Sequence, residues 1–446
     1  MKKSIKIIAL AIFVCFFFSF ISQNIVNSKI LDKSSSSNRI FSVLDNFENK
    51  NPNLKLSINY LNASSSYDYG FKVGKLYRFQ LKFLNFITNS NQKNSFKENQ
   101  IEDEINFMES YCPQFLDEFR GLSDSLNIEI EKLLILQKKI YSLLRGECTA
   151  TVATGDATKN NETFLTFNLD NRIDSPLKIF YKLFLNRLFS WKCWVIKINT
   201  LRYKYALFGM PIIYELAFLN EEGLGWASPG IPFTKNQSRY VDEGPGISTM
   251  LIERLVMMTC KNVTEAANVW KNVERANQQD SSWYNQYDGS SEVYCDKEGG
   301  ILAIEQTHNY IITAFGNSTE ITGVREGILW HANHHKWLDP FKTGSVTIEE
   351  YPSSGTRDKR AGELLNESYG NITLDVCKQI TRDHGGGFDP NGKDSGDICR
   401  HFDKTDKIVT AFSWIILPKK LTVYWTHRSP CRSLFWKHDF SKIFGD

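Results

Sequence analysis

The sequence predicts an α+β protein in which packed β-sheets are covered by helices, and three observations carry that reading. Apolar residues recur at helical spacing through residues 67–144, the pattern turns strand-like and Thr-rich just after Gly146, and strand-like stretches with inserted helices continue to residue 425. Of the 446 residues, 42% are apolar and 23% charged, which excludes a disordered, collagen-like or coiled-coil chain. With 53 Lys+Arg against 50 Asp+Glu, the net charge of +3 supplies no dense cationic field, so composition makes no case for a nucleic-acid partner. The length allows two or three domains, or a single αββα-type domain behind a leader and a pro-segment.

The leader comes first. Lys2, Lys3 and Lys6 precede an apolar run over residues 7–21, broken by Ser19, and the chain turns polar at Ser22. This is the pattern of a secretory signal peptide, assigned to residues 1–22; an uncleaved anchor needs about 20 apolar residues. The expected destination is secretion, or the lysosomal or endosomal lumen, and nothing downstream is apolar enough to span a bilayer. Seven sequons, at Asn62, Asn161, Asn236, Asn262, Asn317, Asn366 and Asn371, are candidate glycosylation sites in such a compartment. Loss of Cys15 with the leader leaves eight cysteines, and an oxidising lumen would pair most of them; Cys377 with Cys399 can close a short loop.

Residues 24–60, rich in Ser, Asn and Lys, are expected to be loosely ordered. Helical spacing begins with Phe71, Leu76, Phe79, Phe83 and Phe86, pauses over the polar residues 89–99, and resumes through Phe107, Phe115, Phe119 and Leu122. A further helix from Ile128 through Leu133, Leu136, Ile140 and Leu144 stops at Gly146. Residues 149–154 and 163–169 are short, apolar and Thr-rich, and Gly155, Asn160 and Asn161 between them predict a hairpin. Residues 193–207 are expected to be strand, 250–272 helix, 293–313 strands, 359–365 and 373–380 helices, and 408–425 two late strands.

Several patterns suggest chemistry that their residues do not support. Residues 387–394 nearly spell a phosphate-binding loop, but Asp394 replaces the hydroxyl that would meet magnesium and would repel phosphate. The same residues lack the Glu that completes a calcium loop, which leaves a solvated turn. His331, His334 and His335 have no His-Glu-x-x-His partner, so a structural or hydrogen-bonding role is preferred to metal, and no metal or cofactor is implied. No Gly-x-Ser-x-Gly elbow occurs. The basic, aromatic stretch between Asp170 and Gly209 would suit weak membrane-surface or lipid contact, but an amphipathic helix followed by a half-buried strand is the preferred reading.

What remains is Arg145-Gly146-Glu147-Cys148-Thr149, a cysteine where the helical part ends and a strand begins. Were the Glu147–Cys148 peptide to break, Cys148 would gain an α-amino group with a pKa of about 7.7–8.0, placing nucleophile and base on one residue. On its own, the residue is read in preference as a small buried strand cysteine.

The surrounding segments resemble the acyl-coenzyme A:isopenicillin N acyltransferase family of autoproteolytic N-terminal-nucleophile hydrolases. The likeness runs in order from about Tyr67 to Cys431: Tyr69-Gly70-Phe71-Lys72-Val73-Gly74, Phe119-Arg120-Gly121, Gly146-Glu147-Cys148-Thr149, Asn168-Leu169-Asp170, Asn220 to Gly225, Asp296 to Gly299 before Ile304-Glu305, His331-Ala332-Asn333-His334, Ser353 to Arg360, Asp383-His384 and Ile398-Cys399-Arg400-His401. The resemblance implies a four-layer αββα sandwich preceded by a helical pro-segment, 23–147, with a catalytic chain, 148–446, released by cleavage between Glu147 and Cys148. It implies that the two chains stay associated, with Cys112 available to a linking disulfide. It further implies that Cys148 attacks a small-molecule acyl-amide or thioester, that Asp170 orients its amine, and that Arg357 lies near a substrate carboxylate.

Two departures stand out. Ser291 occupies the place of the family's oxyanion Asn, where losing a donor costs about 3 kcal/mol, so Asn333 and His334 become further oxyanion or substrate-binding candidates. Phe167 replaces the Arg that related bile-salt and penicillin amidases carry before their Asn-x-Asp, which argues against their specificity. The expected function is a secreted or lysosomal-type self-cleaving amidohydrolase or acyltransferase acting on an acylated amine or amino acid. An acid-ceramidase-like lipid amidase and an inactive glycosylated binding protein are the alternatives.

Overall fold

Side-chain alternation along the strands after Gly146 builds two faces at once. In Glu147–Ala153, Cys148, Ala150 and Val152 join the large core, while Ala153 joins a second apolar cluster on the other side of the sheet. In Ile408–Leu417, Trp414 and Ile416 face the first core, and Ile415 and Leu417 the second. A sheet buried on both faces requires a layer on each side. The computed structural model describes residues 57–89, 98–144, 146–172, 192–234, 236, 238–276, 289–385, 396–401, 408–426 and 428–445. The expected leader, the Ser-rich stretch, residues 173–191 of the basic segment and the 387–394 turn lie outside them.

In chain order the main elements are β1 (Ser57–Ala63), α1 (Ser66–Leu76), α2 (Arg78–Asn89), α3 (Glu98–Tyr111), α4 (Pro113–Leu126), α5 (Ile130–Leu144), β2 (Glu147–Ala153), β3 (Phe164–Arg172), β4 (Lys192–Ile198), β5 (Tyr205–Met210), β6 (Tyr214–Asn220), β7 (Gly225–Ala227) and β8 (Gly230–Ile231). They continue with α6 (Thr249–Thr259), α7 (Val263–Asn272), β9 (Gly289–Cys295), β10 (Ile301–Gln306), β11 (Ile311–Phe315), β12 (Ile328–His331), α8 (Pro352–Glu367), α9 (Leu374–Thr381), β13 (Ile408–Leu417), β14 (Thr422–Thr426) and β15 (Trp436–Asp439). Among the described residues one sheet runs β1-β4-β5-β6-β7-β9-β10-β11 with β8 beside β9, and the other runs β12-β2-β3-β13-β14-β15.

The sheets meet through aromatic side chains: Phe208 of β5 stacks on Trp425 of β14 at 3.9 Å between centroids and on Trp414 of β13 at 5.7 Å. Helices α6 and α7 cover the outer face of the first sheet, and α8 and α9 that of the second. The layering is therefore αββα, as expected. No helix among the described residues is long and apolar enough to cross a membrane.

Several boundaries differ from the sequence reading, each for a local reason. Pro113 sits at the first turn of α4, where its missing N–H costs nothing, so one expected helical region becomes two. The stretch 250–272 likewise divides, because Asn262 caps α7 by accepting from the Glu265 N–H. The stretch 193–207 is a β4–β5 antiparallel pair with a turn between the strands. Strand β1, in a stretch expected to be loose, is ordered by parallel pairing with β4, a partner more than 130 residues away.

The helical front belongs to the same compact unit as the rest, Lys55–Asp446. A buried charge cluster joins them: Arg254 of α6 pairs with Glu118 of α4 at 2.7 Å and with Glu215 of β6, and Tyr69 of α1 donates to Glu215 at 2.8 Å. Gly70 and Gly121 allow α1 and α4 to touch, since a Cβ on Gly70 would lie 1.8 Å from the Glu118 carbonyl oxygen and one on Gly121 2.0 Å from that of Tyr67.

The expectation of disulfides is not met. None of the eight cysteines among the described residues, Cys112 and Cys377 included, is joined in a disulfide. Cys112 is buried at the α3–α4 junction, and burial pushes its thiol up to about 12.

Candidate active site around Cys148

Cys148 is the second residue of β2, which forms an antiparallel hairpin with β3 in a register that pairs Glu147 with Asp170 and Cys148 with Leu169. Gly146 makes the entry possible, because a Cβ there would lie 1.6 Å from the Asp170 carbonyl oxygen. Cys148 is 2% exposed. Its backbone N–H donates to Asn333 Oδ1 at 2.9 Å, and its carbonyl accepts from Arg357.

Arg357 reaches β2 from α8 and gathers the candidate residues. It donates to Thr149 Oγ1 at 3.0 Å, to Glu147 Oε2 at 3.2 Å and to Asn333 Oδ1 at 2.9 Å. Arg400 donates to the same Glu147 carboxylate. Asp170 lies fully buried beside them and accepts from Thr410 Oγ1 at 2.6 Å. Burial raises its carboxyl to about 7, although Arg357, Arg400 and the Thr410 hydrogen bond pull it down. Asp170 Oδ2 has no hydrogen-bond partner.

The 331–338 loop supplies Asn333, and Glu305 of β10 fixes that loop. The Glu305 carboxylate accepts from the backbone N–H groups of Lys336, Trp337 and Leu338 at 2.6, 3.0 and 2.8 Å. It also lies 3.5 Å from His331 and 3.4 Å from His335. Ser354 of α8 accepts from the Asn333 N–H at 2.6 Å and contacts His334 Nδ1 at 2.8 Å. Burial pushes His334 below the usual imidazole range, which favours its neutral form. Asn333 Nδ2 donates to the Gly230 carbonyl at 2.7 Å, which ties this loop to β8.

Ser291 lies on β9. Its neighbours Ser290 and Glu292 hydrogen-bond each other, and Ser290 also accepts from Gln306. Period-two alternation therefore turns Ser291 to the opposite face, toward the six-stranded sheet. Its Oγ is buried without a hydrogen-bond partner.

Cys148, Glu147, Arg357 and Asn333 are thus joined by direct contacts, with Asp170 paired to Glu147 in register. His334 is held by Ser354 behind them. Sequence reasoning gave no role to Arg400 or Thr410; Arg400 lay inside a quoted motif, and Thr410 carried no local signal. Of the sequon asparagines, Asn62, Asn161, Asn236, Asn317, Asn366 and Asn371 are exposed and Asn262 is half-buried.

No protein-family model matches the sequence, and no curated protein does. Solved structures do align with the fold. Penicillin V acylase from Agrobacterium tumefaciens is 14% identical, with 66% of this chain and 87% of that chain covered and a TM-score of 0.38. An arginine-to-leucine variant of conjugated bile acid hydrolase from Clostridium perfringens is 15% identical, with 66% and 93% covered and a TM-score of 0.41. A cysteine-to-alanine mutant of the same hydrolase is 15% identical over the same shares, with a TM-score of 0.37.

Proposed function

We propose that this protein is a self-cleaving N-terminal-nucleophile amidohydrolase or acyltransferase that acts on an acylated amine or amino acid through a Cys148 thioacyl-enzyme. The observation that carries the reading is the junction itself: a buried cysteine at the start of a strand, its N–H held by Asn333 and the preceding carboxylate, Glu147, held by two arginines. That arrangement fixes the peptide between Glu147 and Cys148.

In maturation, Cys148 Sγ attacks the Glu147 carbonyl carbon, and the C–N bond breaks as the Cys148 nitrogen takes a proton and becomes an amine. Water then opens the Glu147 thioester, releasing a carboxylate and restoring the thiol. In turnover, the thiol passes its proton to that α-amine and attacks the substrate carbonyl; the amine or thiol leaving group departs protonated, and water or an acceptor amine takes the acyl group. Ser291 Oγ, buried and unpartnered, suits donation to the developing oxyanion. Asp170 in its ionised form suits orienting the new ammonium. In the intact chain Arg357 holds the carboxylate of Glu147, so a substrate carboxylate reaches it only after the Glu147 end moves away. The leader extends the reading to export, into the medium or a lysosomal lumen.

The test is gel analysis of the exported protein with N-terminal sequencing of every band. A fragment beginning Cys148-Thr149-Ala150 is expected, with Cys148→Ala left as a single uncut chain without turnover. Normal cleavage of Cys148→Ala would overturn the assignment.

A further inference from the structure

Four metal-ligating side chains converge away from Cys148, on the segments that follow α9, precede β13 and follow β14. His384, Cys399, His401 and Cys431 each place a ligand atom within 4.8 Å of all the others. His401 Nε2 lies 3.1 Å from Cys431 Sγ and 4.0 Å from Cys399 Sγ, and the His384 and His401 rings stack at 4.9 Å. Tetrahedral zinc with bonds of about 2.0–2.3 Å sets its ligand atoms about 3.3–3.8 Å apart, so the cluster needs only a small contraction. His384, 40% exposed, and the exposed Cys431 have room to adjust.

The surrounding hydrogen bonds bring these segments together without a metal. The Cys399 N–H donates to the Asp383 carbonyl at 3.0 Å, and Arg360 of α8 holds the Asp383 carboxylate at 2.8 and 3.0 Å. Arg382 donates to the Pro430 carbonyl at 2.9 Å, next to Cys431. Asp397 Oδ2 lies 3.7 Å from His384 Nδ1, near enough for this carboxylate to orient the imidazole after a small movement.

We infer that His384, Cys399, His401 and Cys431 form a structural site for a divalent cation of the zinc class. Two thiolates and two imidazoles fill all four tetrahedral positions, so the ion has no open position for substrate. A disulfide between Cys399 and Cys431 would use the two sulfurs and leave the convergence of both histidines without a purpose. The site has a consequence for the cleavage junction. Arg400 lies between two of its ligands, its guanidinium holds Glu147, and its backbone N–H donates to Thr410 Oγ1 at 2.8 Å, the hydroxyl that also serves Asp170. The ion would therefore hold Arg400 in place from the side opposite the peptide to be cut.

The experiment uses the full exported chain, purified without a histidine tag and kept reduced, with metal content measured by mass spectrometry and zinc replaced by Co(II). One equivalent of zinc is expected, and the cobalt form should show the intense visible bands of a tetrahedral site together with thiolate-to-cobalt charge transfer. Cys431→Ser should abolish the charge transfer from that sulfur. Asp397→Asn, which spares every ligand, should weaken metal binding by about tenfold or more with the circular dichroism unchanged. Folded, reduced wild-type protein that gives no tetrahedral cobalt spectrum would overturn the site, as would a Cys399–Cys431 linked peptide in protein never exposed to added oxidant.

Discussion

Two buried guanidinium–carboxylate clusters in this molecule are built in opposite proportions. Around Arg254 there is one cation for two acids, Glu118 and Glu215, and Glu215 also accepts from the Tyr69 and Tyr205 hydroxyls. Around Glu147 one ion-paired carboxylate faces two cations, with the Asp170 carboxyl beside them but hydrogen-bonded to Thr410, and Arg357 turns its surplus donors to the Cys148 carbonyl, Thr149 and Asn333. The first cluster ties helices to a sheet and also takes a backbone N–H, that of Ile212. The second reaches the backbone beside the bond proposed to be cut, at the Cys148 carbonyl directly and at the Cys148 N–H through Asn333. A buried ion pair is weak evidence for stability, because desolvation offsets attraction, but the partner left behind when one member is removed is costly.

That contrast can be broken by substitution. Arg254→Ala leaves two buried carboxylates unpaired and should destabilise the protein by about 3–5 kcal/mol in chemical denaturation; a loss below about 1 kcal/mol would mean the cluster relaxes or is wet. Arg400→Gln keeps a hydrogen-bond donor near Glu147, which still has Arg357, and should cost about 1–3 kcal/mol. Its larger effect should be on the rate at which precursor is cut, followed by a time course on gels. If Arg400→Gln and a mildly destabilising Arg254 variant slow cutting equally at matched stability, the distinction between the clusters fails.

The pH dependence sharpens the comparison, because each cluster contains a carboxyl that burial raises. Asp170 stands at about 7 and Glu118 at about 8, against unfolded values of about 4. Between about pH 4 and 8 these two carboxyls hold protons in the folded chain that they lose in the unfolded one, so their contribution to stability should fall as pH rises, whereas the buried imidazoles of His331 and His334, pushed below their usual range, contribute with the opposite sign below about pH 6.5. Asp170→Asn should remove the part of the decline that ends near pH 7 and leave the part due to Glu118, as read from denaturation midpoints at successive pH values. An unchanged slope would place the Asp170 titration elsewhere. The smallest effect belongs to the surface pair Lys72–Asp68, 47% and 27% exposed, where Lys72→Ala should move stability by no more than about 0.5 kcal/mol.

The sequence revealed some of this and not the rest, for reasons that depend on range. The β2–β3 hairpin was legible because Thr-rich alternation and an Asn-Asn turn lie within a few residues. The helical front was legible from spacing, and Pro113 marked a break that apolar periodicity alone passed over. Strand β1 was not legible, since its order comes from β4 and not from its own polar composition. At the site, Cys148 drew attention by chemistry, and Asp170, Arg357, Ser291 and Asn333 followed from a resemblance. Arg400 and Thr410 come to Glu147 and Asp170 across more than 230 residues, a proximity that no local pattern encodes. Compartment reasoning also misjudged the sulfurs, because an even cysteine count says nothing of which thiols meet: Cys377 is packed among apolar side chains, while Cys399 and Cys431 meet two histidines.

The placement of β1 and α1–α5 has a consequence for mass action. These residues precede Cys148 and yet supply a strand and several walls of the core, so a cut after Glu147 would turn one folded chain into a heterodimer. Unfolding would then also be dissociation, with a melting temperature that rises with protein concentration in the cut form and is independent of it in the uncut Cys148→Ala form. Refolding from denaturant would become a second-order encounter, and dilution alone would make the mature protein fail to recover.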